Sequence, residues 1–193
     1  MNLVDRAKNI LLKPKSEWAV ISAEPHTVQG LYTGYVMILA AIPAVAAFIG
    51  FSLIGVSTFM GSYRWPITSG ITHMILQYVL NLGWVYVLAL IIDALAPNFG
   101  GEKNFMQALK VSAFSPTAMW LAGIFSIIPA IAILGIVGLY SLYLLYVGLP
   151  LLMKTPAEKA MPYTVVVIII AIVLGLIVGA LSALVVPSPM RGF

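Results

Sequence analysis

Five long apolar runs make up most of the chain, and short polar or proline-containing segments separate them. The runs cover residues 30–59, 71–96, 105–128, 136–153 and 163–186. Each is close to, or longer than, the ~20 apolar residues with which an α-helix crosses a bilayer. This pattern predicts an all-α fold, a polytopic integral membrane helical bundle with five transmembrane helices.

The connections between these runs are short. Residues 60–70 form the first predicted loop, and its Tyr63 and Trp65 are expected at headgroup level, because Tyr and Trp concentrate at membrane surfaces. Residues 97–104 and 154–162 form two charged turns, and residues 129–135 form an uncharged connection. The sequence therefore places no soluble domain between the spans.

The N-terminal segment, residues 1–29, is amphipathic. At helical spacing its charged residues fall mostly on one side, and the other side carries Leu3, Val4, Ala7, Ile10 and Leu11. This favours a cationic helix that lies in the headgroup region, with Trp18 as an interface anchor. The alternative is a short helix packed beneath the bundle. The chain is thus divided into this cytoplasmic interfacial segment and a membrane domain, residues 30–193.

Composition supports the membrane assignment. The chain is 62% hydrophobic and 8% charged, whereas a soluble domain carries about 25% charged residues. It has no Cys, which excludes disulfides and thiolate chemistry. The basic residues flank apolar runs, so the expected partners are the lipid bilayer and its anionic headgroups rather than nucleic acid.

The distribution of basic residues predicts the orientation. Eight of the ten Lys and Arg residues lie before the first span or in the two charged turns and their flanks, and the other two are Arg64 and Arg191. Cytoplasmic loops are enriched in Lys and Arg. We therefore expect a cytoplasmic N-terminus and a periplasmic or extracellular C-terminus.

No catalytic motif is present. The sequence contains neither a GxSxG nor an HExxH motif, and it lacks a phosphate-binding glycine loop. Its two histidines, His26 and His73, lie in different segments, so their spacing does not indicate a metal site. The prediction is a non-enzymatic protein without cofactor or metal.

Asp93 is the one carboxylate within an apolar run, and Lys110 lies at a similar depth on the next span. An unpaired charge at this depth is costly, so the two are expected to form a structural ion pair. A proton or ion relay is the less favoured alternative.

Ser69, His73, Gln77 and Asn81 recur every four residues on the second span and form a polar stripe. Such a stripe supplies hydrogen bonds between helices or lines an aqueous path. We favour hydrogen bonding between helices, while the stripe remains the best indication of transport.

Small residues recur every four positions on the fifth span, at Ala171, Gly175, Gly179 and Ala183. Small side chains let two helix backbones approach closely in a bilayer. This ridge predicts helix packing, either within the chain or in a homo-oligomer.

Three segments carry a resemblance to a known family: ILLKPKSEWAVISAEP, FGGEKNFMQALKVSAFSPTAMWLAGIF and GLYSLYLLYVGLPLLMKTPAEKA. With them the chain resembles the bacterial branch of the Ypt-interacting protein (Yip) family over nearly its whole length. The resemblance implies a five-span membrane fold with a cytosolic N-terminus. Eukaryotic members bind Rab-type GTPases and act in vesicle traffic between endoplasmic reticulum and Golgi; the Asp-Leu-Tyr-Gly-Pro signature and long acidic tail of those members are absent from the short N-terminal segment here.

These observations together predict a non-enzymatic Yip-family protein of the bacterial inner membrane that organises membrane or partner proteins. The alternative is a small transporter or channel with a polar path along the second span.

Overall fold

The computed structural model describes residues 2–58 and 61–185, and most of these residues are helical. Two short helices come first: α1, Leu3–Leu12, and α2, Pro14–Ala23. Five stretches that are long and apolar enough to cross a membrane follow: Val28–Ile54, Ile67–Phe99, Phe105–Ile127, Pro129–Leu152 and Ala157–Ile177. The predicted all-α, five-span bundle is confirmed.

The first span changes helix type along its length. It consists of α3, Val28–Leu31, a π-helical turn, Tyr32–Val36, α4, Met37–Phe48, and a second π-helical turn, Ile49–Ile54. Pro43 lies inside α4, where it cannot donate a backbone hydrogen bond. The π-helical turns are wider than α-helical ones. Such turns often occur near functional sites, because they re-aim the side chains that follow.

A small β-hairpin joins the first two spans. Its strands are β1, Val56–Thr58, and β2, Gly61–Tyr63, and they pair antiparallel with Val56 opposite Tyr63. The next helix, α5, covers Ile67–Leu95. The prediction of a loop over residues 60–70 is therefore wrong for residues 61–63 and 67–70. Pro66 occupies the N-cap position of α5 without a side-chain capping hydrogen bond, and its lack of an N–H is tolerated at a helix start.

The remaining spans mix α- and 3₁₀-helix. A 3₁₀ turn, Ala96–Phe99, follows α5, and the third span then consists of α6, Phe105–Phe114, α7, Thr117–Ala122, and a 3₁₀ segment, Gly123–Ile127. The fourth span joins a 3₁₀ segment, Pro129–Leu139, to α8, Tyr140–Leu152, and the fifth is α9, Ala157–Val185. The fourth and fifth helices thus begin earlier than predicted. Pro129 lies in the first turn of its segment, where a missing N–H is tolerated, whereas Pro162 lies inside α9.

The third span forms the centre of the bundle. Of its most apolar stretch 67% is buried, against 22–33% for the other four spans. Its buried side chains Leu109, Val111 and Phe114 belong to a core that also includes residues of the first, second, fourth and fifth spans. The other spans keep large apolar surfaces exposed, as lipid contact allows.

Helices α1 and α2, called here the N-terminal hairpin, pack against this bundle. Asn2 caps α1 by accepting a 2.8 Å hydrogen bond from the Asp5 backbone N–H. Ile10, Trp18 and Ile21 are fully buried in the same core as the spans. Of the two alternatives for the N-terminal segment, packing beneath the bundle therefore accounts for most of its apolar face, while Val4 stays exposed.

Candidate functional site

A buried ion cluster holds the N-terminal hairpin together. The Arg6 guanidinium donates a 2.6 Å hydrogen bond to the Glu17 carboxylate and a second one to the Glu24 carboxylate. Arg6 and Glu17 are each only 5% exposed. The cluster therefore links α1, α2 and the segment leading to the first span, and removal of one partner would leave an uncompensated buried charge.

Lys110 belongs to the same region, and the predicted ion pair with Asp93 is wrong. The Lys110 ammonium donates hydrogen bonds to the backbone carbonyls of Ser22 at 3.2 Å and Glu24 at 2.7 Å. Asp93 instead lies beside Tyr163, and within the described part of the chain its buried Oδ1 has no hydrogen-bond partner. The carbonyls at the end of α2 compete successfully for Lys110, because they are unpaired at a helix C-terminus.

Phe114 is the aromatic centre of this region. Its ring contacts Tyr35 at a centroid distance of 4.6 Å and His26 at 6.0 Å, and the Arg6 guanidinium lies 5.8 Å from its centroid. A cavity of about 370 Å³ lies beside it, at the start of the first span. We call it the charged cavity; its lining includes Leu3, Arg6, Glu24, Pro25, His26, Gly30, Leu31, Gly34, Tyr35 and Phe114.

Two groups at the charged cavity titrate away from their ordinary values. The Arg6 hydrogen bond is the main reason that the pKa of Glu24 is lowered. Burial is the main reason that the pKa of His26 is lowered, because a desolvated ring favours its neutral form. Glu24 is therefore an anion and His26 is neutral at neutral pH, so Arg6 and the nearby Lys110 together balance the charges of Glu17 and Glu24.

Trp18 is not an interface anchor as the sequence predicted. Its side chain is fully buried and meets the Phe114 ring edge-on at 6.4 Å. Its indole packs directly on Gly148 of α8, where an added Cβ would lie 2.4 Å from Trp18 Cε2. The indole thus fills a groove that only glycine leaves open, and this fixes α2 against the fourth span.

A second cavity, of about 380 Å³, lies between the first four spans. We call it the polar cavity, because His73, Gln77 and Asn81 of the predicted polar stripe line it. The fourth member, Ser69, does not. The other lining residues come from the first, third and fourth spans and are mostly small: Pro43, Ala44, Ala47, Met119, Ala122, Gly123, Ser126, Ala132 and Gly135.

The favoured interpretation of the stripe, hydrogen bonding between helices, is wrong for these three residues. Within the described part of the chain, the one hydrogen bond that their side chains make joins Asn81 to the backbone carbonyl of Gln77, at 2.8 Å on the same helix. His73 additionally meets the Trp65 ring edge-on at 5.1 Å. Their polar groups therefore face the cavity and not a neighbouring span.

Buried apolar residues separate the two cavities, which have no lining residue in common among those that the structure describes. Leu39 and Ala40 lie between them along the first span. Val85 and Ala89 follow Asn81 along the second span, and all four residues are at most 2% exposed. We call these four residues the sealing layer. Near it, the hydroxyls of Tyr35 and Thr117 are hydrogen-bonded at 2.8 Å.

The remaining predicted site residues lie elsewhere. Ala171 packs against the core, whereas an added Cβ at Gly175 or Gly179 would meet no atom of the described residues within 4 Å. The two glycines of the ridge therefore face away from the other spans of this chain, and the side chain of Ala183 lies outside the described part. Tyr63 is in β2, and Trp65 stacks on Phe51 at 5.3 Å.

The sequence interpretation missed the ion cluster. A signal for it was present, since Arg6 lies three residues from Leu3 and four from Ile10, on the buried face of α1. A charge on an apolar face requires a partner. The identity of the partners, Glu17 and Glu24, depends on how the hairpin folds back.

Comparison with known proteins agrees with this architecture. Residues 8–179 match the Yip1 domain family. The chain is also similar to the inner membrane protein YohC of Escherichia coli strains K12 and CFT073, with 28% identity over 119 residues. That match spans 61% of this chain and 61% of the length of each relative. No solved structure matches. Because the family match extends from α1 through all five spans, the chain belongs to the Yip1 domain family of membrane proteins.

Proposed function

We propose that this protein is a non-enzymatic component of the bacterial inner membrane that organises anionic lipids, and through them partner proteins, at the cytoplasmic surface. The location follows the name of its relatives, YohC of Escherichia coli, which are inner membrane proteins. The observation that carries the proposal is the outer side of α1, where Val4, Lys8 and Leu12 are all exposed.

These three residues recur every four positions and form one stripe, called here the outer stripe. Val4 and Leu12 are 69% and 68% exposed, which is unusual for apolar residues outside a span. Lys13 and Lys15 are exposed beside it. A surface with apolar tips and basic side chains suits anionic headgroups, because the tips enter the acyl boundary while the ammonium groups contact phosphates. The ion cluster supports the proposal further, since it fixes this stripe relative to the spans.

The test uses the full chain with a donor fluorophore on Leu12→Cys, which is the only cysteine because the native chain has none. The vesicles contain an acceptor on either phosphatidylglycerol or phosphatidylcholine. We expect more energy transfer to labelled phosphatidylglycerol, and we expect high salt to remove the excess, because screening shortens the range of headgroup attraction. The triple change of Lys8, Lys13 and Lys15 to Gln should also remove it. Equal transfer to both lipids would overturn the proposal.

The proposed orientation, with a cytoplasmic N-terminus, is tested separately. Ala157→Cys lies at the start of α9, directly after the last charged turn, and Tyr63→Cys lies in the β-hairpin. In intact cells an impermeant thiol reagent should label position 63 and spare position 157, because basic turns stay in the cytoplasm. The reverse pattern would invert the orientation.

Transport is the second candidate function, and the polar cavity favours it. Alternating access requires that the site open to both membrane faces in turn. The sealing layer argues against alternating access, because its buried apolar side chains close the bundle between Asn81 and the charged cavity. Gln77→Cys should therefore react with an impermeant reagent from one face of the membrane only, and Ala40→Cys from neither. Reaction of Gln77→Cys from both faces would favour the transporter.

A further inference from the structure

Within the described part of the chain, the stripe residues that line the polar cavity have no hydrogen-bond partners on other spans. A polar side chain within a span is costly unless it is hydrogen-bonded. His73, Gln77 and Asn81 are spaced over about 12 Å of α5, since eight residues rise by 1.5 Å each. In the described part of the chain none of the three makes a side-chain hydrogen bond to another span.

The shape of the cavity results from small residues on the facing helices. Ala44 and Ala47 of α4, Ala122 of α7 and Gly135 of the fourth span leave space opposite the polar stripe. Its volume of about 380 Å³ corresponds to roughly a dozen waters at liquid density and lies within the usual range of ligand pockets, about 300–1,000 Å³. One wall therefore offers hydrogen-bond donors and acceptors, and the other walls are apolar.

We propose that the polar cavity is a binding site for a small uncharged amphiphile, with a hydroxyl or carboxamide head and an apolar body. The head would hydrogen-bond to Gln77 and Asn81, whose amides both donate and accept. The apolar body would contact the small residues of the facing spans. Among the described residues that line the cavity there is no lysine, arginine, aspartate or glutamate to pair with an ion, and this favours an uncharged occupant.

The polar cavity is closed at the end beside Asn81, so it is a binding site and not a channel. The sealing layer lies beyond Asn81, so a bound molecule enters from the side of the β-hairpin or from the surrounding lipid. Trp65 contacts the His73 ring on the hairpin side and stacks on Phe51 of the first span. This site is independent of the outer stripe, so it would add ligand binding to the proposed organising role.

The test uses the full chain in nanodiscs and 3-azioctanol, a photoreactive uncharged alcohol, with adducts mapped by mass spectrometry. We expect adducts on cavity-lining residues, which 1-octanol suppresses far better than octane does, because octane lacks the hydroxyl. Gln77→Leu and Asn81→Leu keep the bulk but remove the polar groups, so each should lower labelling about three- to tenfold, as loss of one hydrogen bond does.

A matched pair of glycines supplies the steric control. An added Cβ at either Gly135 or Gly83 meets no atom of residues 2–58 and 61–185 within 4 Å, but of the two glycines only Gly135 lines the cavity. Gly135→Leu should fill the cavity and abolish the adducts, and Gly83→Leu should leave them unchanged. If Gly135→Leu does not fold, the Gln77→Leu result decides.

Competition by monooctanoylglycerol would indicate a ligand from the bilayer, and competition by butanamide would indicate a ligand from the aqueous phase. Equal suppression by octane and octanol, or unchanged labelling of Gln77→Leu, would overturn the proposal.

Discussion

Removal of the Arg6 side chain should release the N-terminal hairpin from the bundle. In Arg6→Ala, Glu17 would remain 5% exposed without its 2.6 Å partner. Breaking a buried pair in this way costs about 3–5 kcal/mol. The lower end applies here, because the Glu24 side chain is 33% exposed and regains water when Arg6 is lost. We therefore expect a loss of about 3 kcal/mol in the free energy of hairpin docking.

The assay measures how often the hairpin opens. Ile21 is fully buried on α2, so a thiol in Ile21→Cys reacts only when the hairpin is undocked. In this background, Arg6→Ala should raise the labelling rate about 10²-fold, because each 1.4 kcal/mol changes an equilibrium tenfold. Lys8→Ala, an exposed change on the same helix, should alter the rate less than about twofold.

A double variant tests the physical reason. In the Arg6→Met, Glu17→Met protein no buried charge is left unpaired, and apolar replacement of a buried ion pair is often neutral. Its labelling rate should therefore be much closer to that of the parent than the rate of Arg6→Ala. If the double variant opens as often as Arg6→Ala, the uncompensated Glu17 charge is not the cause, and the reasoning is refuted.

Three further changes probe other contacts. Gly148→Ala would place a Cβ 2.4 Å from Trp18 Cε2, and this overpacking should lower stability by about 1–3 kcal/mol, seen as a lower melting temperature in detergent. Burial lowers the pKa of His26 below its ordinary value of 6.5. The stability that the neutral His26 ring contributes is therefore complete above pH 6.5 and declines as the pH falls below that value. The melting temperature of His26→Gln should depend less on pH below 6.5 than that of the parent. Gly179→Leu lies at an open position and should leave the melting temperature unchanged; a lower melting temperature would contradict the open packing. Smaller particles of this variant on size-exclusion chromatography would assign the ridge to a homo-oligomer.

The sequence by itself determined the membrane class, the number of spans and the location of most turns. Apolar length is a property of consecutive residues, and a bilayer imposes it on each helix separately. The sequence predicted the exact starts of the helices less accurately. Helix α5 begins at Ile67, within a polar stretch. It can begin there because Pro66 is compatible with a helix start and the first helical turn does not need apolar residues.

Only the tertiary structure decided which polar residues meet. Arg6 finds partners 11 and 18 residues away because the chain reverses between α1 and α2. Lys110 is bound by carbonyls of α2 instead of by Asp93, although both interpretations satisfy the rule that a buried charge needs a partner. Periodicity assigns a residue to a face of its helix, but it does not state what that face contacts.

The same limit explains Trp18 and the polar stripe. A tryptophan beside a membrane span suits the headgroup region, yet here the absence of a side chain at Gly148, on a distant helix, provides a groove for the indole. The four-residue spacing of His73, Gln77 and Asn81 correctly placed them on one face of α5. That this face borders a cavity depends on the small residues of three other spans, whose packing no local pattern encodes.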